Sequence, residues 1–173
     1  MQPAARLARP PAAAPTGISA VARVDARTKR LTTRLAPGEI AVIDHVDLDR
    51  VSAEALVACR PAAVLNAAPS ISGRYPNLGP EILVAAGVPL IDSAGPELLH
   101  TVRDGQRVYL DGATLRRDGR VLATGVVQTE ESVAEAMAEA RAGLAVQLEA
   151  FAGNTMGLAE TCGRRSWISA ARR

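Results

Sequence analysis

The chain has 173 residues, of which 48% are apolar and only 2% aromatic, so valine, leucine, isoleucine and alanine must fill its core. The net charge of +2 is unevenly spread: residues 17–156 carry 14 basic and 17 acidic side chains, whereas both ends are basic. A folded body without excess positive charge argues against nucleic-acid binding, and no apolar run is long enough to span a bilayer.

The first part of the chain predicts strands that alternate with helices. Residues 1–16, rich in proline and alanine, bury too little apolar surface to fold and are expected to be disordered. The elements predicted after them are a strand over 18–24, a basic helix over 28–35, a strand over 39–44, a helix capped by Ser52 and ending at Cys59, a strand over 62–67, a helix over 80–86, a strand over 88–92, and a helix from Pro96 to about Val102.

From about residue 104 the pattern changes to short runs divided by turn signals. Asp104-Gly105, Asp111-Gly112 and Asp118-Gly119 are dipeptides typical of tight turns, and residues 121–127 close a small antiparallel unit. Strands alternating with helices and followed by hairpins predict a mixed three-layer α/β domain over residues 17–127.

Residues 129–155 predict one long amphipathic helix that begins with Thr129 as its cap. Apolar side chains spaced by three and four residues form a single stripe over about five turns. This stripe must pack on the domain or on a partner, and its far end is expected to be more exposed than its start. Its residues are Val133, Met137 and Ala140, followed by the candidate interaction residues Leu144, Leu148 and Phe151.

Segment 70–80 is the richest candidate binding region. It leads into a helix N-terminus and offers hydroxyl, guanidinium and backbone N–H groups, which suit an anion. Two other interpretations stay open: the segment ties itself to its own domain, or it forms a protein-contact surface, since arginine and tyrosine are favoured interface anchors. The candidate residues are Ser70, Ser72, Gly73, Arg74, Tyr75, Asn77 and Gly79.

The sequence predicts no catalytic residue, metal site or cofactor. His45 and His100 fall on different predicted elements without a cysteine at ligand spacing, and no nucleophile motif accompanies His45. Asp44, Asp47 and Asp49 lack the glycine and distal glutamate of a calcium loop, so they predict a solvated turn before a helix.

The cysteine pattern and the N-terminus favour a cytoplasmic protein. Cys59 and Cys162 are isolated in sequence and predict neither a disulfide nor a metal site. The N-terminal residues include arginines but no apolar region typical of a signal peptide.

Six short strings between Gly17 and about Met156 resemble one known family. The most specific is SGRYPNLGP at 72–80, and the others are GI at 17–18, ARVD at 22–25, PGEI at 37–40, DLDR at 47–50 and QLEAFAGNT at 147–155. The family is the SteA-like family of actinobacteria.

The resemblance implies a non-catalytic interaction domain in a protein of the cytokinetic ring. SteA-like proteins are associated with envelope integrity, and they are thought to act with a SteB-like membrane protein in controlling peptidoglycan cleavage at division. The resemblance therefore implies that the protein binds a protein partner and lies on the inner face of the membrane at the division site. Self-association through residues 129–155 is a further expectation.

Longer family members carry a thiamine pyrophosphokinase-like region after the helix. This chain departs from them after about Met156, where residues 157–173 turn basic and contain the only tryptophan. We therefore expect a truncated or frameshifted product with a disordered tail and no enzymatic activity. The alternative is a small-molecule or phosphate-binding remnant, with any kinase activity in the region absent from this chain.

At the level of fold, the order of elements resembles the swivelling β/β/α domain of phosphoenolpyruvate-using phosphotransfer enzymes. In that domain the loop before the helix carries a histidine that accepts phosphate. Residues 70–75 hold no histidine, so the resemblance extends to the fold and not to the phosphotransfer chemistry.

Overall fold

The computed structural model describes the backbone of residues 17–162 and the side chains of residues 17–153. Within that part the chain forms eight strands and five helices, so the predicted α/β class is confirmed. The strands are β1 (Ile18–Val24), β2 (Ile40–Ile43), β3 (Ala63–Asn66), β4 (Leu90–Asp92), β5 (Arg107–Asp111), β6 (Thr114–Arg117), β7 (Arg120–Thr124) and β8 (Val126–Gln128). The helices are α1 (Thr28–Thr32), α2 (Arg50–Cys59), α3 (Gly79–Ala85), α4 (Leu98–Thr101) and α5 (Glu130–Cys162).

All eight strands belong to one mixed sheet with the order β7-β6-β5-β1-β2-β3-β4-β8. Strands β1 to β4 run parallel, and helical crossovers connect them in sequence. Every residue of β2 and β3 is buried, as expected for parallel strands covered on both faces. The antiparallel strands β5, β6 and β7 extend the sheet beyond β1, and β8 closes the other edge against β4.

Two apolar cores form, one on each face of the parallel strands. The first includes α1, α2, α3 and the first turns of α5, with Leu56, Leu83 and Met137 among its buried side chains. The second combines α4 with the antiparallel strands, and Leu98 and Leu115 are buried there. None of the described helices could serve as a membrane span.

Helix α2 begins earlier than predicted, because Asp49 and not Ser52 is its cap. The Asp49 Oδ1 atom accepts a hydrogen bond from the Ser52 N–H at 2.9 Å, and Ser52 Oγ donates to Asp49 Oδ2 at 2.7 Å. Aspartate caps a helix as well as serine does. Leu48, fully buried just before the cap, fixes where the chain enters the helix.

Helix α5 is capped by Thr129 as predicted, since the Ser132 N–H donates to Thr129 Oγ1 at 3.1 Å. The helix continues to Cys162, past the predicted end at residue 155. A helical glycine such as Gly153 costs only about 1 kcal/mol relative to alanine, which does not by itself end a helix. The predicted disorder of residues 157–173 is therefore wrong for residues 157–162, which belong to α5. Residues 1–16 and 163–173, also predicted to be disordered, lie outside the described residues.

Candidate functional site

Segment 70–80 lies at the carboxyl ends of the parallel strands, between β3 and α3. Open α/β sheets usually bind their ligands at this edge. Three polar residues from the ends of neighbouring strands also lie there: His45 after β2, Asn66 at the end of β3 and Asp92 at the end of β4.

Asp92 anchors the start of segment 70–80. Its carboxylate accepts hydrogen bonds from the Ser70 N–H, at 2.8 and 2.9 Å to its two oxygens, and from Ser70 Oγ at 2.8 Å. Burial raises the pKa of Asp92 above its ordinary value, although the hydrogen bonds from Ser70 oppose that shift. Because Ser70 is fully buried, this pair is closed to a substrate from solvent.

Asn66 links the ends of β2 and β3 and uses its whole carboxamide to do so. Its Oδ1 accepts from the His45 N–H at 2.9 Å, and its Nδ2 donates to the His45 carbonyl at 2.8 Å. The same Nδ2 also donates to Ser70 Oγ at 2.8 Å. With both amide protons engaged, Asn66 has no donor left for a ligand.

The middle of the segment is fastened to residues 47 and 48. The Asp47 carboxylate accepts from the Ser72 N–H at 2.7 Å and from Ser72 Oγ at 2.8 Å. Asn77 Nδ2 donates to the carbonyls of Leu48 at 2.8 Å and Ser70 at 2.7 Å. The predicted solvated turn is therefore wrong for Asp47, which is half-buried and holds Ser72.

Two positions in this segment require glycine for the backbone conformation or packing seen here. A Cβ at Gly79 would overlap the backbone carbonyl of Leu48, so only glycine lets α3 approach that closely. Gly73 has φ +82°, a left-handed conformation that side chains disfavour.

The tip of the segment points to solvent. Arg74 and Tyr75 are exposed, and Tyr75 retains 61% of its accessible surface. Within residues 17–153 the Arg74 guanidinium has neither a hydrogen bond nor an ion pair. The candidate residues thus divide into this exposed tip, next to Gly73, and a structural frame consisting of Ser70, Ser72, Asn77 and Gly79.

Among the described residues, the apolar stripe of α5 is buried along its first turns and exposed farther along the helix. Val133 and Met137 are 2% and 4% exposed, whereas Leu148 and Phe151 are 60% and 72% exposed, which confirms the predicted gradient. Between these two ends, Leu144 is half-buried.

The exposed part of α5 begins next to the tip of segment 70–80. Gly143 of α5 lies close to Gly73: a Cβ added at Gly143 would be 3.8 Å from the Gly73 carbonyl oxygen, which is an ordinary van der Waals distance. The sequence did not predict that its two candidate interaction regions would be neighbours. We call the combined area the loop–helix surface and define it by Arg74, Tyr75, Leu144, Leu148 and Phe151.

His45 takes part in a contact chain that sequence analysis missed. Its Nδ1 lies 2.9 Å from Thr28 Oγ1, and its Nε2 lies 3.4 Å from Asp49 Oδ2. A hydroxyl, an imidazole and a carboxylate in this order resemble a nucleophile triad. Thr28 is only 3% exposed, however, so its hydroxyl cannot reach an external substrate.

Among the described residues no cluster of histidine, cysteine and acidic side chains could hold a metal ion.

Comparison of the chain with protein-family models, with curated proteins and with solved structures finds no match. The SteA-like resemblance therefore stays a prediction, and the function has to be inferred from the geometry of segment 70–80 and α5.

Proposed function

We propose that this chain is a non-catalytic interaction domain that binds a protein partner through the loop–helix surface. The observation that carries the proposal is the apolar stripe of α5, which is buried up to Ala140 and reappears at Leu148 as an exposed side chain. Exposed apolar surface next to polar groups is typical of interaction sites, and Tyr75 and Arg74 are of the residue types most enriched in interface hot spots.

The rigid frame beneath the tip favours binding. Ser70 is tied to Asp92, Ser72 to Asp47, and Asn77 to two backbone carbonyls. A preorganised segment loses little conformational entropy when a partner binds, so more of the contact energy appears as affinity.

We place this interaction in cytokinesis and in the control of peptidoglycan remodelling. A SteB-like membrane protein is the proposed partner, at the inner face of the membrane at the division site. The support is the sequence resemblance, whose most specific string, residues 72–80, coincides with the segment that presents Arg74 and Tyr75.

The alternative of a phosphate or small-molecule site in the same segment has less support. Both serine hydroxyls that such a site would use donate to carboxylates, Ser70 to Asp92 and Ser72 to Asp47. These carboxylates would repel an anion brought close to them. No observation on segment 70–80 favours this alternative over a protein contact.

The proposal is tested by measuring the affinity of the purified chain for the SteB-like protein of the same organism. We expect Tyr75→Ala and Leu148→Glu each to weaken binding by about tenfold or more, as for hot-spot residues. Tyr109→Ala and Val121→Glu are the matched controls, because both residues are exposed but lie on the antiparallel strands.

Equal affinity of the wild type and both loop–helix variants would exclude this surface as the contact. Absence of any binding to the SteB-like protein would instead remove the proposed place in cell division.

A further inference from the structure

Helix α5 extends well beyond the domain. Its first turns are held by the buried side chains of Val133 and Met137. Every residue from 145 to 153 is exposed, and the helix continues to Cys162. Residues 144–162 alone measure about 28 Å along the helix axis, so more than half of α5 projects away from the body.

The projecting turns carry few charges that could stabilise them. Between residues 142 and 153 the only charged side chain is Glu149, so these residues cannot form ion pairs from one turn to the next. Most of the stability of a helix in a protein comes from the packing of its apolar face. Val146 and Leu148 are nevertheless 65% and 60% exposed. These turns therefore need a second apolar surface against which to pack.

The position of the domain decides in which direction a second helix can run. Leu144 and Leu148 follow Met137 by seven and eleven residues, so they continue the same face of the helix. Up to Gly143 this face is occupied by α3 and by segment 70–80. In a parallel pair of helices both domains would lie between the two helices and hold them apart. In an antiparallel pair each domain lies beyond the distal end of the other helix, and the two faces can meet.

We propose that the chain forms a two-fold symmetric dimer in which residues 144–162 of α5 pack antiparallel on the same residues of a second copy. Such an interface is self-complementary, so the face that carries Leu148 meets the equivalent face of the other copy. Glu149 lies about 100° around the helix from Leu148, so like charges do not meet at the centre of the contact. The facing halves of two such helices, each about 11 Å wide, have about 1,000 Å² of surface in total, the size at which specific interfaces begin.

The dimer covers the loop–helix surface. The distal end of each helix lies beside segment 70–80 of the other copy, because the two helices overlap along their projecting turns. Self-association and the partner contact proposed above therefore use the same surface and exclude each other. The dimer does not depend on that contact, since it forms from this chain alone.

The test is a measurement of the distance between spin labels on the two copies by pulsed electron paramagnetic resonance. The full chain with Cys59→Ser and Cys162→Ser carries one label, at Ala142→Cys or at Ala150→Cys, two exposed positions away from the face of Leu148. In an antiparallel pair the axial separation of equivalent residues changes by about 3 Å per residue, twice the helical rise. We therefore expect the distance to be about 20 Å longer at position 142 than at position 150.

Leu148→Glu, added to each labelled chain, buries two unpaired charges in the contact and should raise the dissociation constant of the dimer by about tenfold or more. Val121→Glu is the matched control, because it places the same charge on the exposed face of β7 and should leave the distances unchanged. Equal distances at positions 142 and 150 would overturn the antiparallel arrangement. Absence of any distance between copies at the highest soluble concentration would overturn the dimer itself. Circular dichroism of each variant reports whether the domain is still folded.

Discussion

Ser70 binds the Asp92 carboxylate with both its backbone N–H and its hydroxyl, and so joins the start of segment 70–80 to the end of β4. Asn66 extends this contact to β2, because its Nδ2 reaches both Ser70 Oγ and the His45 carbonyl. Three neighbouring parallel strands are thus connected by side chains just beyond the point where their backbone pairing ends.

The first prediction concerns Asp92→Asn, which replaces one acceptor oxygen with an NH₂ group that faces donors. The free energy of unfolding should fall by about 2 kcal/mol, the usual cost of leaving a buried donor unsatisfied. Urea denaturation measures it. Asp111→Asn, at an exposed aspartate of β5, should change stability by less than about 0.5 kcal/mol. Equal effects of the two substitutions would show that the contact with Ser70 contributes nothing.

The second prediction concerns Gly79→Ala. The added methyl group would meet the Leu48 backbone, which cannot move aside like a flexible side chain, so we expect a loss of about 3 kcal/mol. Gly153→Ala meets nothing within 4 Å and should be neutral or stabilising by up to about 1 kcal/mol. Thermal unfolding of the two variants side by side distinguishes close packing from a general effect of replacing glycine.

The third prediction is a pH dependence carried by Glu39. Its carboxylate accepts from Arg23 Nε at 2.9 and 3.0 Å, and this hydrogen bond holds the pKa of Glu39 below its ordinary value of 4.5 despite partial burial. A pKa lowered by folding gives stability that is present above pH 4.5 and is lost as the pH falls through the folded-state pKa. The stability difference between the wild type and Glu39→Gln should therefore be constant near neutral pH and shrink in acid.

Denaturation curves at a series of pH values measure this difference. Arg23→Gln removes the charged donor and should reduce the same pH dependence, while the hydrogen bond from the Ala36 N–H to Glu39 Oε2 remains. If the acid-induced loss of stability persists unchanged in Arg23→Gln, the ion pair is not its source.

The fourth prediction is self-association through α5. Sedimentation should show a larger species whose population grows with concentration, because the exposed stripe of one copy can cover that of another. Leu148→Glu combined with Phe151→Glu should reduce it, since both side chains are exposed in the described structure. Val121→Glu places a charge on the exposed face of β7 and should not. A sedimentation profile that is independent of concentration in the wild type would contradict this prediction.

Local signals were sufficient to predict most of the fold. The strands IAVI and AVLN are short, continuous apolar runs, and proline or glycine residues mark many of the turns around them. Strand β6, with the sequence TLRR, has little apolar pattern and is defined by its pairing with β5 and β7. Its strand character is a property of its neighbours and could not be read from its own residues.

The candidate site was predictable as a segment but not residue by residue. Sequence analysis left segment 70–80 open between an anion site, a structural role and a contact surface. The hydroxyls of its serines donate to Asp92 and Asp47, which lie more than twenty residues away in sequence. Such contacts follow from the order of strands in the sheet, and that order has no local signature.

A single residue, Thr129, separates the edge strand β8 from α5. The sheet edge therefore sets the direction of the helix, and a helix of 33 residues measures about 50 Å. Helix α5 is fixed to the domain at one end, where Val133 and Met137 are buried in the core. A partner that bound its distal turns would be held at a fixed distance from the sheet, and a force on those turns would act first on the packing of Val133 and Met137.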